Sequence, residues 1–128
     1  MATVSGQSSN PVLTKSFKSA ADYSAAVTNV AVYLSAENTV TRCGANAKAI
    51  GIMVNNPNTN EAAEVIVLGT APMKAGTAIT LNDWIKTDTI GEADVADTDK
   101  DKVIGLALQG ASDGDIFEVL LLHSLASI

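Results

Sequence analysis

The sequence predicts an all-β, single-domain protein: a small β-barrel or β-sandwich of short antiparallel strands. The first observation behind this is a repeat. Residues 103–122, V-I-G-L-A-L-Q-G-A-S-D-G-D-I-F-E-V-L-L-L, align without a gap on residues 49–68, A-I-G-I-M-V-N-N-P-N-T-N-E-A-A-E-V-I-V-L, fifty-four positions earlier. The second is punctuation: clusters of Gly, Asn, Asp and Pro interrupt short apolar runs at close, regular intervals, as a meander of strands requires. The third is composition. The chain is 47% apolar, yet its aromatic residues are only Phe17, Tyr23, Tyr33, Trp84 and Phe117. Val, Ile, Leu and Ala must therefore build the core. At 128 residues one domain is expected, able to bury roughly two thirds of its unfolded surface.

Taken in order, residues 1–14 carry no charge and are rich in Ser, Thr, Gly and Asn. They read as a flexible N-terminal arm whose apolar handles are Pro11, Val12 and Leu13, with the folded domain spanning 15–128. The alanines of 15–26 suggest a helix by propensity, but Phe17 and Tyr23 do not hold a 3.6-residue period, so no helix is assigned. V-A-V-Y-L (30–34) and T-V-T-R-C (39–43) read as strands joined by a turn at A-E-N. Each copy of the repeat then reads as a hairpin: a short strand with a central glycine, a polar loop, and a returning strand of four apolar residues. A glycine inside a strand marks a bulge or a close approach of another backbone. V-I-V-L (65–68) and V-L-L-L (119–122) are apolar on both faces, so both faces should be covered. Core covers one; loops of a sandwich or a neighbouring subunit would cover the other. Between the copies, Pro72 points to an edge or a bulge.

Charge and composition exclude several classes. A net charge of −6 with scattered basic residues is the opposite of a nucleic-acid or anionic-membrane surface. Few aromatics argue against sugar platforms and base stacking. A single cysteine, Cys43, cannot form an internal disulfide and reads as a small buried hydrophobe. The N-terminus lacks the basic and apolar regions of a signal peptide. His123 has no acid or nucleophile near it in sequence, and one histidine with one cysteine cannot assemble an ordinary zinc site. Asp97, Asp99 and Asp101 have the spacing that opens an EF-hand loop, but Lys102 stands where its glycine belongs and Leu108 where its glutamate belongs. No phosphate loop, dinucleotide fingerprint or nucleophile elbow occurs. The reading is no enzyme, no cofactor, no metal and no small-molecule substrate.

The ordered set A-I-G-I-M-V, P-N-T-N-E-A, E-V-I-V-L-G, K-A-G-T-A-I-T, T-D-T-I-G-E and V-I-G-L-A-L…G-D-I-F-E-V-L-L-L resembles the small capsid decoration, or cement, proteins of tailed bacteriophages. The resemblance runs from about Phe17 to Leu122. It departs at Asn82-Asp83-Trp84, where such proteins often carry Gly-Asp. It implies a structural role on the outer surface of the virion, assembled in the host cytoplasm, with a homotrimer clamping adjacent copies of the major capsid protein. On that reading Pro11, Val12, Leu13 and Phe17 are the first candidates for capsid contact, Pro57 and Glu61 the second. Ile66, Trp84 and Leu120 are the candidates for subunit contact. Rival readings are a virion-surface adhesin for host glycans, a trimeric hydrolase with a shared site, and a tail or baseplate piece.

Overall fold

In the computed structural model, residues 10–25 and 27–123 are described. They form nine strands and, among the described residues, no helix: β1 (Pro11–Ser19), β2 (Val30–Ala36), β3 (Thr39–Arg42), β4 (Gly51–Met53), β5 (Ala62–Lys74), β6 (Trp84–Thr87), β7 (Ala93–Val95), β8 (Gly105–Ala107) and β9 (Ile116–Leu121). The protein is all-β. One sheet runs in the order β1-β3-β2-β4-β5-β9-β8-β6-β7, and β1 also pairs with β5.

That extra pairing closes a ring. β1 lies antiparallel to the N-terminal half of β5, with Lys15 opposite Val65 and Phe17 opposite Ala63. Its far end runs parallel to β3, through Lys18 and Thr39. The C-terminal half of β5 starts a second circuit: Ala71 pairs with Val119 and Met73 with Phe117, and a parallel bridge from Ala75 to Ala93 brings β7 back to it. The fold is two five-stranded rings that share one long strand. We call residues 10–68 the first lobe and 69–123 the second.

The repeat seen in the sequence extends over both lobes. Ile52↔Ile66 and Met53↔Val65 in β4–β5 return as Leu106↔Leu120 and Ala107↔Val119 in β8–β9. Val32↔Arg42 and Tyr33↔Thr41 in β2–β3 return as Ile85↔Val95 and Lys86↔Asp94 in β6–β7. β1 against β5 is matched by the second half of β5 against β9. Loop bonds repeat too. The Tyr23 N–H donates to Pro57 O at 2.8 Å as Ile79 N–H does to Ala111 O at 2.8 Å; Ser19 N–H to Glu61 O (2.9 Å) matches Ala75 N–H to Asp115 O (2.9 Å). Left-handed turn residues recur at equivalent places: Asn29 and Asn82, Asn38 and Gly91, Asn60 and Gly114, all types that tolerate positive φ.

The glycine within each first strand has one cause. A Cβ on Gly51 would strike Ile66 O and come within 2.8 Å of Val65 Cγ1; on Gly105 it would lie 2.5 Å from Leu120 O and 2.8 Å from Val119 Cγ2. Each marks a close approach of the returning strand, the second of the two alternatives a strand glycine allows.

Each lobe fills its ring. Phe17, Tyr23, Val32, Val40, Met53, Ala63 and Val65 pack in the first. Their positional counterparts Met73, Ile79, Ile85, Ala93, Ala107, Phe117 and Val119 pack in the second. The second cluster also takes in Ala31, Cys43, Ile52 and Ile66 of the first lobe. These side chains alternate with the first lobe's interior residues, so the outer face of lobe one is buried as part of the core of lobe two.

The N-terminal arm expected over 1–14 differs from what is found. Its first nine positions lie outside the described residues. From Pro11 onward the chain is strand, because β5 offers an antiparallel edge that takes up Pro11 to Lys18, with irregular register between Pro11 and Thr14.

Candidate interaction surfaces

Two apolar surfaces stand out on this scaffold. The first lies where β1 enters the sheet. Leu13 is opposite Leu68, and Val12 is 77% exposed, Leu13 46% and Leu68 44%. Asn10 fixes the entry point by exchanging bonds with Thr70: its N–H reaches Thr70 Oγ1 at 2.8 Å, and its carbonyl accepts from Thr70 N–H at 3.2 Å. The second surface is a cross-strand row on the outer face of lobe two, Trp84 opposite Leu106 and Leu106 opposite Leu120. Trp84 is 46% exposed; Leu106 and Leu120 are half-buried.

Of the residues singled out for capsid contact, Pro11, Val12 and Leu13 share the first surface. Phe17 does not. Its ring points into the first lobe, because by the pleat it falls on the face that Ala63, across from it, also turns inward. Lys15 Nζ lies 5.5 Å from its centroid. Pro57 is buried and Glu61 exposed; the Glu61 carboxylate closes its own loop on Asn58 N–H at 2.8 Å. That loop bonds to the Ser19 end of β1, about 25 Å along the strand from Pro11, so the two sets of candidates are not one site.

Of the subunit-contact candidates, Trp84 and Leu120 share the second surface through Leu106, which the sequence reading omitted. Leu106 occupies the place in the second copy that Ile52 has in the first, so the repeat itself carried the signal. Ile66 is a correction: it is buried in the molecule's own core. It is positionally equivalent to Leu120, and what covers it is the second lobe of the same chain.

The polar groups are occupied structurally. Asp101, buried, accepts from Lys86 Nζ at 3.0 Å, Thr98 N–H at 3.0 Å and Asp97 N–H at 3.1 Å. The Thr98 N–H chiefly, and Lys86 with it, hold the Asp101 carboxyl below its ordinary pKa against the opposing effect of burial. Lys86 is correspondingly raised, mainly by its bond to Asp101. Asp101 thus ties its loop down rather than facing outward to a cation. Among the described residues no group of three or more His, Cys, Asp or Glu side chains is placed to hold a metal ion. Burial pushes the Cys43 thiol up to about 12, which keeps it protonated and unreactive. His123 Nε2 makes its contact with Val67 O.

What fold and surface define is a twin-ring β module that exposes large apolar side chains on both lobes. No protein-family model matches the chain, and no curated protein matches it. Among solved structures, it is similar to the N-terminal base of the head fiber protein gp8.5 of bacteriophage phi29, with a TM-score of 0.68 at 17% identity over 91% of this chain and 98% of that one. At that identity the likeness is one of fold.

Proposed function

We propose that this chain is a structural, non-enzymatic protein of a phage head. It binds the outer capsid surface as a homotrimer and stabilises the head by clamping adjacent major capsid proteins. The observation that carries this is the fold: the likeness to a phage head fiber base spans 98% of that chain, so the whole twin-ring unit is shared. The ordered motifs that resemble capsid decoration proteins support the same class independently. The contact surface on this reading is Pro11, Val12, Leu13 and Leu68, an apolar patch held on a paired strand that loses little conformational freedom on binding. Trimerisation multiplies a modest contact through effective concentration.

The test is co-sedimentation with undecorated expanded heads and with unexpanded proheads of the cognate phage. Saturable pelleting with expanded heads, weakened at least tenfold by Val12→Asp with Leu13→Asp, is the expected outcome. Point substitutions are preferable to deleting residues 1–14, because that deletion would also remove the part of β1 that closes the first ring. Failure to pellet with either particle would sink the capsid reading and redirect the search to tails or host-surface glycans.

A further inference from the structure

The two lobes have the same backbone, so a face covered in one and open in the other can be compared directly. In lobe one the outer face of Ala31, Cys43, Ile52 and Ile66 is buried against lobe two. The contact is specific. The β6–β7 hairpin tip leans on β2, where Ala31 N–H donates to Gly91 O at 2.8 Å. At the mouth of lobe two, Thr87 Oγ1 donates to Gly44 O at 2.7 Å and accepts from Ala47 N–H at 2.9 Å. The face of lobe one, with the loop after β3, is thus a cap on the mouth of lobe two.

Among the described residues no further lobe packs on the same face of lobe two, where Trp84 is 46% exposed, Leu106 and Leu120 are half-buried and Ala96 is buried. Trp84, Ala96, Leu106 and Leu120 stand where Ala31, Cys43, Ile52 and Ile66 stand, and among the described residues no third lobe offers a carbonyl to the Trp84 N–H as Gly91 does to Ala31. Lobe one has the complementary deficiency. At its mouth Leu34, the counterpart of Thr87, is 49% exposed, and Tyr33 beside it is also exposed. Among the described residues, one chain therefore carries an uncapped mouth at one end and an unused cap at the other.

We infer that these two ends meet between copies of this chain, the outer face of the second lobe seating on the β2–β3 hairpin and mouth of the first lobe of the next copy. The contact repeats the internal junction, loosened where Trp84 replaces Ala31 and holds the incoming hairpin further out. Charge favours this pairing over a symmetric one. Residues 10–68 hold Lys15, Lys18, Arg42 and Lys48 against Asp22, Glu37, Glu61 and Glu64, while the ten remaining acidic residues and four remaining basic ones all lie in 69–123. The whole net charge of −6 belongs to lobe two. Two second lobes face to face would repel; a second lobe on a neutral first lobe does not. A head-to-tail contact of this kind closes into a ring when its rotation permits, and the inference thus deepens the oligomeric part of the function proposed above, on which it rests.

The test uses Leu34→Lys and Trp84→Glu, both at exposed positions, with masses measured by native mass spectrometry and folding checked by circular dichroism. The wild type is expected to assemble at multiples of 13.1 kDa, and each variant alone to be monomeric. An equimolar mixture should give one-to-one dimers, because the first variant keeps a good second lobe and the second keeps a good first lobe. A monomeric wild type, a Leu34→Lys protein that assembles like wild type, or a mixture that stays monomeric would each overturn the inference. Pelleting of the same variants with capsids separates the two readings: assembly through another face with capsid binding intact removes this junction and leaves the capsid role standing.

Discussion

The first lobe and the second are the same ring filled differently. Where lobe one has Phe17 opposite Ala63, lobe two has Met73 opposite Phe117. The large residue has crossed to the other strand, and Met53 has become Ala107 to make room. Val40 shrinks to Ala93 while Val32 grows to Ile85. Many of the backbone bonds at the loops, by contrast, recur at equivalent positions, Ser19 to Glu61 as Ala75 to Asp115 and Tyr23 to Pro57 as Ile79 to Ala111. The comparison teaches that hydrogen-bond register fixes this ring, while the core needs only the right total volume in the right layer.

The sharpest way to break the likeness is at the residue both lobes keep. A side chain on Gly51 or Gly105 drives into the backbone of the returning strand, and backbone cannot move aside as a rotamer can. Gly51→Ala and Gly105→Ala should each cost about 3 kcal/mol or more, read by urea denaturation, with valine preventing folding. Gly51, whose approach is closer, should be the worse. A neutral Gly105→Ala would show that the second ring tolerates a slipped register and that the two lobes are not held alike.

Next in size is an exchange of cores. Ala63→Phe alone overfills the first lobe and should cost about 1–3 kcal/mol. Adding Met53→Ala copies the Ala107/Phe117 arrangement and should recover most of that loss. A double-mutant cycle measures the recovery as a coupling energy. No coupling would mean that the two rings, though alike in register, differ in interior shape.

The same comparison explains what was legible beforehand. All-β class, the β2–β3 hairpin and the twin β4–β5 and β8–β9 units were readable because strand pattern and turn residues are local. The sequence likeness fades outside 49–68 and 103–122 because elsewhere only backbone geometry repeats, and Phe17/Met73 or Leu34/Thr87 carry no common letter. β1 was misread as an arm up to residue 14 because its partner, the edge of β5, lies some fifty residues away. Ile66 and Leu120 looked interchangeable as doubly apolar positions. Which of them is covered by the chain itself depends on the lobe packing, which no local pattern encodes. Val12, Leu13 and Trp84 are exposed, and large apolar side chains in a polar sequence context are visible as such.

The junction between lobes has its own reporter. Cys43 lies within it, buried, with its thiol held up to about 12, so labelling by a thiol reagent at pH 8 requires the lobes to part. Gly91, at φ +77 with Ala31 O 3.0 Å from the place its Cβ would occupy, is the tip that closes them. Gly91→Val should speed labelling of Cys43 by about tenfold for each 1.4 kcal/mol removed from closure, with the ring cores intact by circular dichroism. An unchanged rate would place Cys43 exchange in global unfolding and deny the junction a stability of its own.

The smallest effect concerns charge and belongs to lobe two alone, since Ala47 stands near the position of Asp101 in lobe one and Tyr33 at that of Lys86. Asp101 has its folded pKa lowered. Its contribution is therefore present above the unfolded carboxylate value of about 3.9 and is lost as pH falls through the lower folded value. Lys86, raised, contributes fully below its unfolded value of about 10.4 and loses that as pH rises through the folded one. Asp101→Asn should flatten both limbs of a plot of melting temperature against pH, the acid limb directly and the alkaline limb because Lys86 loses its partner, while leaving the neutral plateau lowered but level. If the acid limb keeps its slope, the carboxylates that matter lie elsewhere in the acidic lobe. The loop after β7 would then owe its shape to the backbone bonds it shares with the loop after β3, and the polar clasp would be an addition to a ring that already holds.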